Sequence, residues 1–233
     1  MKILQNSFNQ YLNKNYFFEK KPSIAVAVSG GPDSMCLIYL LKNWINVNKG
    51  SIVALIIDHQ LRKESEEESY LIKKYLLKNK ISTKIIKINK KLVIKKSMKE
   101  ARENRYEKLI KYCHRKNIFH LFLAHHYNDN IETFLIRKLS GSNFEGLRGM
   151  QYKSINNCIQ ILRPLLFHTK KEILEFNSNK KIFYLNDPSN LNTKYTRVAL
   201  RNFLNKNKSL HQKIKKDFEK IEKNYPIYLQ MVY

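Results

Sequence analysis

The residues best suited to chemistry stand together at Ser29-Gly30-Gly31-Pro32-Asp33-Ser34. They follow Ile24-Ala25-Val26-Ala27-Val28, an apolar run that reads as a buried strand, and precede Met35 to Leu41, which reads as a helix. A glycine pair at a strand-to-helix turn lets backbone N–H groups approach an anion, because no Cβ stands in the way. The helix behind it offers unpaired N–H groups and the positive end of its dipole. Together these make a phosphate cradle, to which Ser29 and Ser34 add hydroxyl donors. Asp33 is the odd member, since a carboxylate beside phosphates is repulsive. It makes sense if a Mg2+ ion or an ammonium group sits between them, with Asp33 as the metal's partner. No GxxxxGK[ST] is present and no lysine follows the glycines, so this is not a Walker loop. The plainer alternative is an ordinary βα turn that carries two glycines.

Other polar clusters fall at comparable places. Ser51 to Asp58 reads as a second buried strand ending in Asp58-His59, and Leu121 to Ala124 as a fourth ending in His125-His126. Thr83 to Ile88 is the third strand. The intervening helices are Glu64 to Lys80 and a stretch capped by Ser97 that runs to about Lys116. A first helix covers Met1 to Lys21, and the helix behind the glycine loop runs to about Trp44. Asn128 is placed to cap the helix carrying Ile131, Phe134, Leu135 and Leu139. This alternation predicts an α/β fold with a parallel sheet, and such sheets bind ligands at the C-terminal edges of their strands. Beyond Gly141 the pattern changes to a glycine-spaced loop, a short strand at Ile159–Leu162 and a helix over Thr169 to Phe176. Asn186 to Asn190 is a turn, and two basic helices follow at Thr196–Asn205 and Leu210–Lys223. We expect a catalytic domain over 1–205 and a basic helical tail over 206–233, whose Ile214, Phe218 and Ile221 form a docking stripe.

The bulk numbers narrow the class. At 233 residues and 43% hydrophobic, the chain has room for one large domain with a real core. A formal charge of +25 points to a polyanionic partner, nucleic acid before membrane surface. Cys36, Cys113 and Cys158 are far apart and make no CxxC, so they read as lone thiols in a reducing compartment. There is no signal-peptide pattern and no apolar run of membrane-spanning length. The expectation is a soluble cytoplasmic protein, or one of an organelle stroma or matrix.

The string from Ser29 to Ser34 resembles the signature of the PP-loop ATP pyrophosphatases, and the resemblance extends along the chain. Asp58-His59-Gln60-Leu61-Arg62-Lys63-Glu64-Ser65, Glu100-Ala101-Arg102-Glu103-Asn104-Arg105-Tyr106 and Ala124 to Thr133 are similar, in order, to the N-terminal catalytic domain of the tRNA(Ile)-lysidine synthase family. Gly141 to Met150, Arg163-Pro164-Leu165-Leu166, Asp187-Pro188-Ser189-Asn190, Arg197 and Arg201 continue the series. The resemblance implies a parallel-sheet, adenine nucleotide alpha hydrolase-like (PP-loop) fold with a basic helical C-terminal extension. It implies a ligase that uses ATP and Mg2+ to adenylate carbon 2 of the wobble cytidine in isoleucine tRNA. Free L-lysine then displaces AMP. The partners implied are the anticodon region of that tRNA and lysine, with no membrane.

Under that chemistry the loop Ser29, Gly30, Gly31, Pro32, Asp33 and Ser34 holds the pyrophosphate end of ATP. Arg102 and Arg105, one turn apart, bring positive charge to the α-phosphate. Asp58 and His59 recognise adenosine, and His125 contacts phosphate or the adenylated base. Asp129 orients the attacking amine, with Glu132 one turn later. Asp33, Asp129 and Arg102 are the expected catalytic residues, and His126 the structural member of its pair. Arg148, Arg163, Arg197 and Arg201 are candidate tRNA phosphate contacts. The chain departs from the family at Asn128-Asp129-Asn130, where Asp-Asp-Gln is typical, so the first carboxylate is an amide here. The alternatives are another PP-loop tRNA-modifying enzyme such as a thiolase, or a basic nucleic-acid-binding module without turnover.

Overall fold

A computed structural model describes residues 2–58, 64–88, 98–186 and 196–232. Six strands form one sheet in the order β3-β2-β1-β4-β6-β5. They are β1 (Ser23–Val28), β2 (Ser51–Asp58), β3 (Ser82–Lys87), β4 (His120–Phe122), β5 (Lys153–Asn156) and β6 (Ile159–Leu162). All neighbours pair parallel except β5, which runs antiparallel to β6 at the edge. The helices among the described residues are α1 (Lys2–Asn15), α2 (Pro32–Val47), α3 (Glu64–Lys78), α4 (Met98–Arg115) and α5 (Tyr127–Leu139). They continue with α6 (Phe144–Leu147), α7 (Lys170–Asn179), α8 (Thr196–Lys206) and α9 (Lys208–Val232).

Period-two alternation puts helices on both faces of the sheet. Ile24, Val26 and Val28 of β1, with Ala54, Ile56 and Phe122, pack against Phe8, Leu37, Ile72 and Ile173 from α1, α2, α3 and α7. Ala25, Leu55 and Leu121 point the other way, onto Leu109, Ile110 and Cys113 of α4. The chain leaves β1 for β2 and β3 on one side, then returns to β4 on the other. The C-terminal ends of β1 and β4 are therefore a topological switch point, where open α/β sheets form a crevice. The glycine loop leaves β1 at this crevice.

Several elements differ from the sequence reading. Helix α1 stops at Asn15, short of Lys21; Tyr16 turns inward to the core while Phe17 is left 89% exposed. Strand β5 was not expected. It is a short, polar edge strand, joined to β6 through Asn157 and Cys158, both at positive φ (45° and 60°). That is the backbone of a two-residue primed turn, here without the glycine that usually signals it. Helix α9 runs through Pro226 to Val232 instead of ending at Lys223. Proline inside a helix removes one backbone hydrogen bond at a cost of about 3 kcal/mol. Packing offsets it: Tyr225 and Tyr228 lie against Phe144, and Arg148 sits 3.4 Å over the Tyr225 ring. Ile214 and Phe218 of α9 and Leu204 of α8 close a third apolar cluster on Ile131, Phe134 and Leu135 of α5. His59, Arg62, Ser97 and the Asp187 to Asn190 turn lie outside the described residues.

Candidate active site

The loop after β1 is shaped by one glycine more than by a pair. Gly30 has φ +86°, and a Cβ there would stand 2.9 Å from Ile72 Cγ1. Gly31 caps α2 at φ −72°, and a Cβ on it would meet only Ser29 Oγ, at an ordinary 3.5 Å. The space in front of Gly31 is thus open, as a backbone that receives an anion requires. Within the loop, the Ser29 N–H donates to Ser34 Oγ (3.2 Å), and the Ser34 hydroxyl donates to the Gly31 carbonyl (3.0 Å). The hydroxyl of Ser34 is therefore engaged in holding the turn rather than free for a ligand. From behind, Asn177 Nδ2 donates to the Pro32 carbonyl (2.8 Å) and the Leu185 N–H to the Gly30 carbonyl (2.9 Å).

Two lobes of one depression open beside the loop. The first, about 410 Å³, is walled by the ends of β1, β2 and β4 and by α4 through Arg105, Tyr106 and Leu109. The second, about 710 Å³, is walled by the first turns of α5 and α7 and by α8 and α9 through Arg201, Leu204 and His211. Ser29, Asp33, Glu68 and Asp129 line both.

Charges meet at that shared wall. Lys170, in the first turn of α7, places Nζ 2.5 Å from Asp33 Oδ1. His126 is the N-cap of α5, in place of the expected Asn128: its Nδ1 accepts the Asp129 N–H (3.3 Å), and Asp129 Oδ2 accepts the His126 N–H (3.0 Å). A neutral ring so bonded carries its proton on Nε2, which lies 3.7 Å from Asp33 and 3.6 Å from Asp129. His126 thus spaces the two carboxylates. Asn128 turns its amide oxygen to the Lys170 N–H (3.0 Å), fixing the start of α7. Asn130, fully buried, clasps both the N–H and the carbonyl of Met150 and so pins the glycine-spaced loop. At both departures the amide has a backbone partner.

Glu132 is buried and paired with Arg201 through Nε (2.7 Å) and Nη2 (3.2 Å), and Arg201 also lies 3.9 Å from Asp129. The Glu132 hydrogen bond, with its charge, raises the Arg201 guanidinium further above its ordinary value. Arg197 donates to Thr133 Oγ1, Arg163 to the Gln151 carbonyl and Ser154 Oγ, and Arg148 stacks on Tyr225. All four candidate phosphate-contact arginines therefore hold partners within the chain.

The far side of the first lobe is strongly positive. Burial, and after it the guanidiniums of Arg163, Arg102, Arg105 and Arg197, push the His125 imidazole well below its usual value. His125 is therefore neutral at pH 7, and its Nδ1 is buried without a hydrogen-bond partner among the described residues. Burial raises the Tyr106 phenol, but Arg163 and Arg102 outweigh it and leave it below the ordinary range. Arg105 and Arg102 do not share the cavity: Arg105 lines it, while Arg102 is exposed along an outer groove with Glu103, Ile110 and Asn156. Asp58 is buried behind the wall and accepts the Ser65 hydroxyl at 2.5 Å, so Ser65 is the group that faces the lobe.

Sequence reasoning missed Lys170, Glu68 and Tyr106. Lys170 stands seven residues past Arg163 with no local signature, and Glu68 read only as part of an acidic helix start.

A phosphate-shaped loop at the switch point of a parallel sheet, with a cationic wall opposite, defines an α/β nucleotide-site protein of the PP-loop class. The chain belongs to that family: the model of the PP-loop domain matches residues 1–208. Among curated proteins it is similar to the tRNA(Ile)-lysidine synthase of Wolbachia pipientis wMel, 37% identical over 203 residues, which are 86% of this chain and 47% of that one. The tRNA(Ile)-lysidine synthase of Orientia tsutsugamushi (strain Boryong) is 37% identical over 187 residues, 80% of this chain and 42% of that one. The chain spans under half the length of these relatives. Among solved structures it shares its fold with a U34-tRNA thiolase from Methanococcus maripaludis. The TM-score is 0.72 at 15% identity, over 94% of this chain and 79% of that one. Among the described residues, no helix is long and apolar enough to cross a membrane.

Proposed function

We propose that the chain carries the ATP-dependent chemistry of lysidine formation on isoleucine tRNA, in the cytoplasm. The observation that carries this reading is the pair of lobes sharing Asp33 and Asp129, one against the phosphate loop and one opening toward the basic helices. Two reactants other than ATP must reach one phosphorus and one carbon in turn, and a two-lobed site with a common wall suits that order.

In this reading the loop amides and the N-terminal end of α2 hold the pyrophosphate end of ATP. Arg105 and neutral His125 face the cationic side of the first lobe, where His125 Nδ1 is free to bond a ligand. The cytidine O2 attacks the α-phosphorus and pyrophosphate leaves. The ε-amine of lysine then attacks carbon 2, and AMP leaves with that oxygen. Lysine is mostly protonated at pH 7. Asp129 orients its ammonium, and a proton must leave before attack. Arg201, fixed by Glu132, holds a cation 3.9 Å from Asp129.

Asp33 fits a Mg2+ partner: its carboxylate lines both lobes beside the phosphate loop, and Mg2+ is commonly held by one or two carboxylates plus phosphate oxygens. Bound there, Mg2+ supplies charge neutralisation for the leaving pyrophosphate. Lys170 holds the Asp33 carboxylate by the same attraction.

The test is pyrophosphate release from ATP with lysine and unmodified isoleucine tRNA supplied together and singly, followed by nucleoside analysis for labelled lysine. Release that needs both, with label in a modified cytidine, is expected. Release with neither, or a label-free tRNA, contradicts the reading.

A further inference from the structure

We infer that the outward face of α9 is a docking surface for RNA backbone, which starts at the end of the helix nearest the second lobe. This rests on the tRNA reading above. Helix α9 sorts its charges by face. Its acids have partners off the lysine line: Asp217 pairs with Lys138 (2.7 Å), the exposed Glu219 accepts the Tyr127 hydroxyl (3.1 Å) and lies 3.8 Å from Lys215, and Glu222 accepts the Tyr152 hydroxyl (3.2 Å). Its apolar residues Ile214, Phe218 and Tyr225 are buried on one side. Lys213, Lys216, Lys220 and Lys223 recur at i, i+3, i+7 and i+10, all exposed, on the opposite side. Glu219, the exposed acid of the helix, stands off this line beside Lys215, so these four lysines form a stripe of one sign, where a surface built for solubility alone intersperses both.

The stripe has the dimensions of a phosphate track. Ten residues at 1.5 Å span about 15 Å, and one nucleic-acid strand offers a phosphate about every 3.4 Å of duplex axis. It also starts at the end of the helix nearest the site. His211 lines the second lobe, and Lys213, two residues on and about 200° round the helix, opens the stripe on the outer side. Backbone flanking a nucleotide in the lobe would pass round this first turn to reach the lysines. The rival partner is an anionic membrane, but a helix that lies in a membrane buries its apolar face there. That face of α9 is already packed against α5.

The experiment reverses the stripe with Lys213→Glu, Lys216→Glu, Lys220→Glu and Lys223→Glu together, beside the matching fourfold Gln variant in case the first folds poorly. Isoleucine tRNA binding is measured from 50 to 300 mM salt, ATP binding separately, and lysine-dependent pyrophosphate release against tRNA concentration. Four lost phosphate contacts predict a salt slope shallower by about 3 in the Gln variant. Affinity at low salt should fall about 100-fold or more in the Glu variant. KM for tRNA should rise, with kcat within twofold and ATP binding unchanged. An unchanged slope and affinity overturns the inference. So does loss of kcat at constant KM, or loss of binding to phosphatidylserine vesicles with tRNA binding intact. The salt slope is read on the native chain whether or not it turns over, so failure of the synthase reading and failure of this surface are told apart.

Discussion

Lys170 Nζ lies 2.5 Å from Asp33 Oδ1, joining the first turn of α7 to the first turn of α2 across the mouth of the phosphate loop. This pair places a cation where ATP would bring negative charge, and it leaves Asp33 neutralised without a ligand. Lys170→Met should slow lysine- and tRNA-dependent pyrophosphate release by roughly 100- to 1,000-fold, as the loss of one preorganised donor to a developing anion does. Lys170→Arg should recover part of it. Equal rates in all three, measured by single turnover, would place the lysine outside the chemistry.

The two glycines of the loop should separate fold from function. Gly30→Ala forces a side chain into positive φ and against Ile72, so a loss of about 1–3 kcal/mol is expected in urea unfolding. Gly31→Ala meets nothing closer than 3.5 Å. It should leave stability within about 0.5 kcal/mol and still weaken ATP binding at least tenfold, because the new methyl occupies the space in front of the amides. Normal ATP binding by Gly31→Ala would move the phosphates elsewhere.

Asn130 should matter for the fold alone. Asn130→Leu strands the Met150 N–H and carbonyl in the interior, and an unsatisfied buried group costs about 1–3 kcal/mol. Unfolding midpoints should drop accordingly. An unchanged midpoint would mean that Gly149 and Met150 are held by something other than this amide.

Acid should destabilise the protein before its carboxylates titrate. His125 and His168 are both depressed below the ordinary 6.5, in each case by burial first. The unfolded chain therefore binds protons that the native chain refuses, so stability is complete above about pH 6.5 and falls as pH drops toward the native values. Glu19 and Glu172, depressed by His120 and by Thr169 bonds against the opposing effect of burial, add their loss only below about 4.5. His125→Gln should flatten the stability curve below pH 6.5. An unaltered curve would show that the ring is charged in the native state.

The parts legible in the sequence were those set by local pattern. Unbroken apolar runs marked β1 and β2, and the glycines between a strand and a helix marked the loop. What stayed hidden depends on partners distant in sequence. Lys170 reaches Asp33 across 137 positions, and nothing near it signals that. Arg102 and Arg105 share a helical face by spacing, yet only Arg105 reaches the cavity, because α4 packs on the sheet through Leu109 and turns Arg102 to its outer groove. Pro226 should have ended α9, and the rings of Phe144, Tyr225 and Tyr228 overrode it. His126 displaced Asn128 as the cap because Asn128 is drawn to the start of α7.

The central claim is that the loop from 29 to 34 grips ATP for attack on its first phosphorus. It is tested most directly by Asp33→Ala, read simultaneously for pyrophosphate release and for tRNA retention. The account predicts that release is abolished while tRNA affinity stays within twofold. Retained release, or loss of tRNA binding as the main effect, would contradict it.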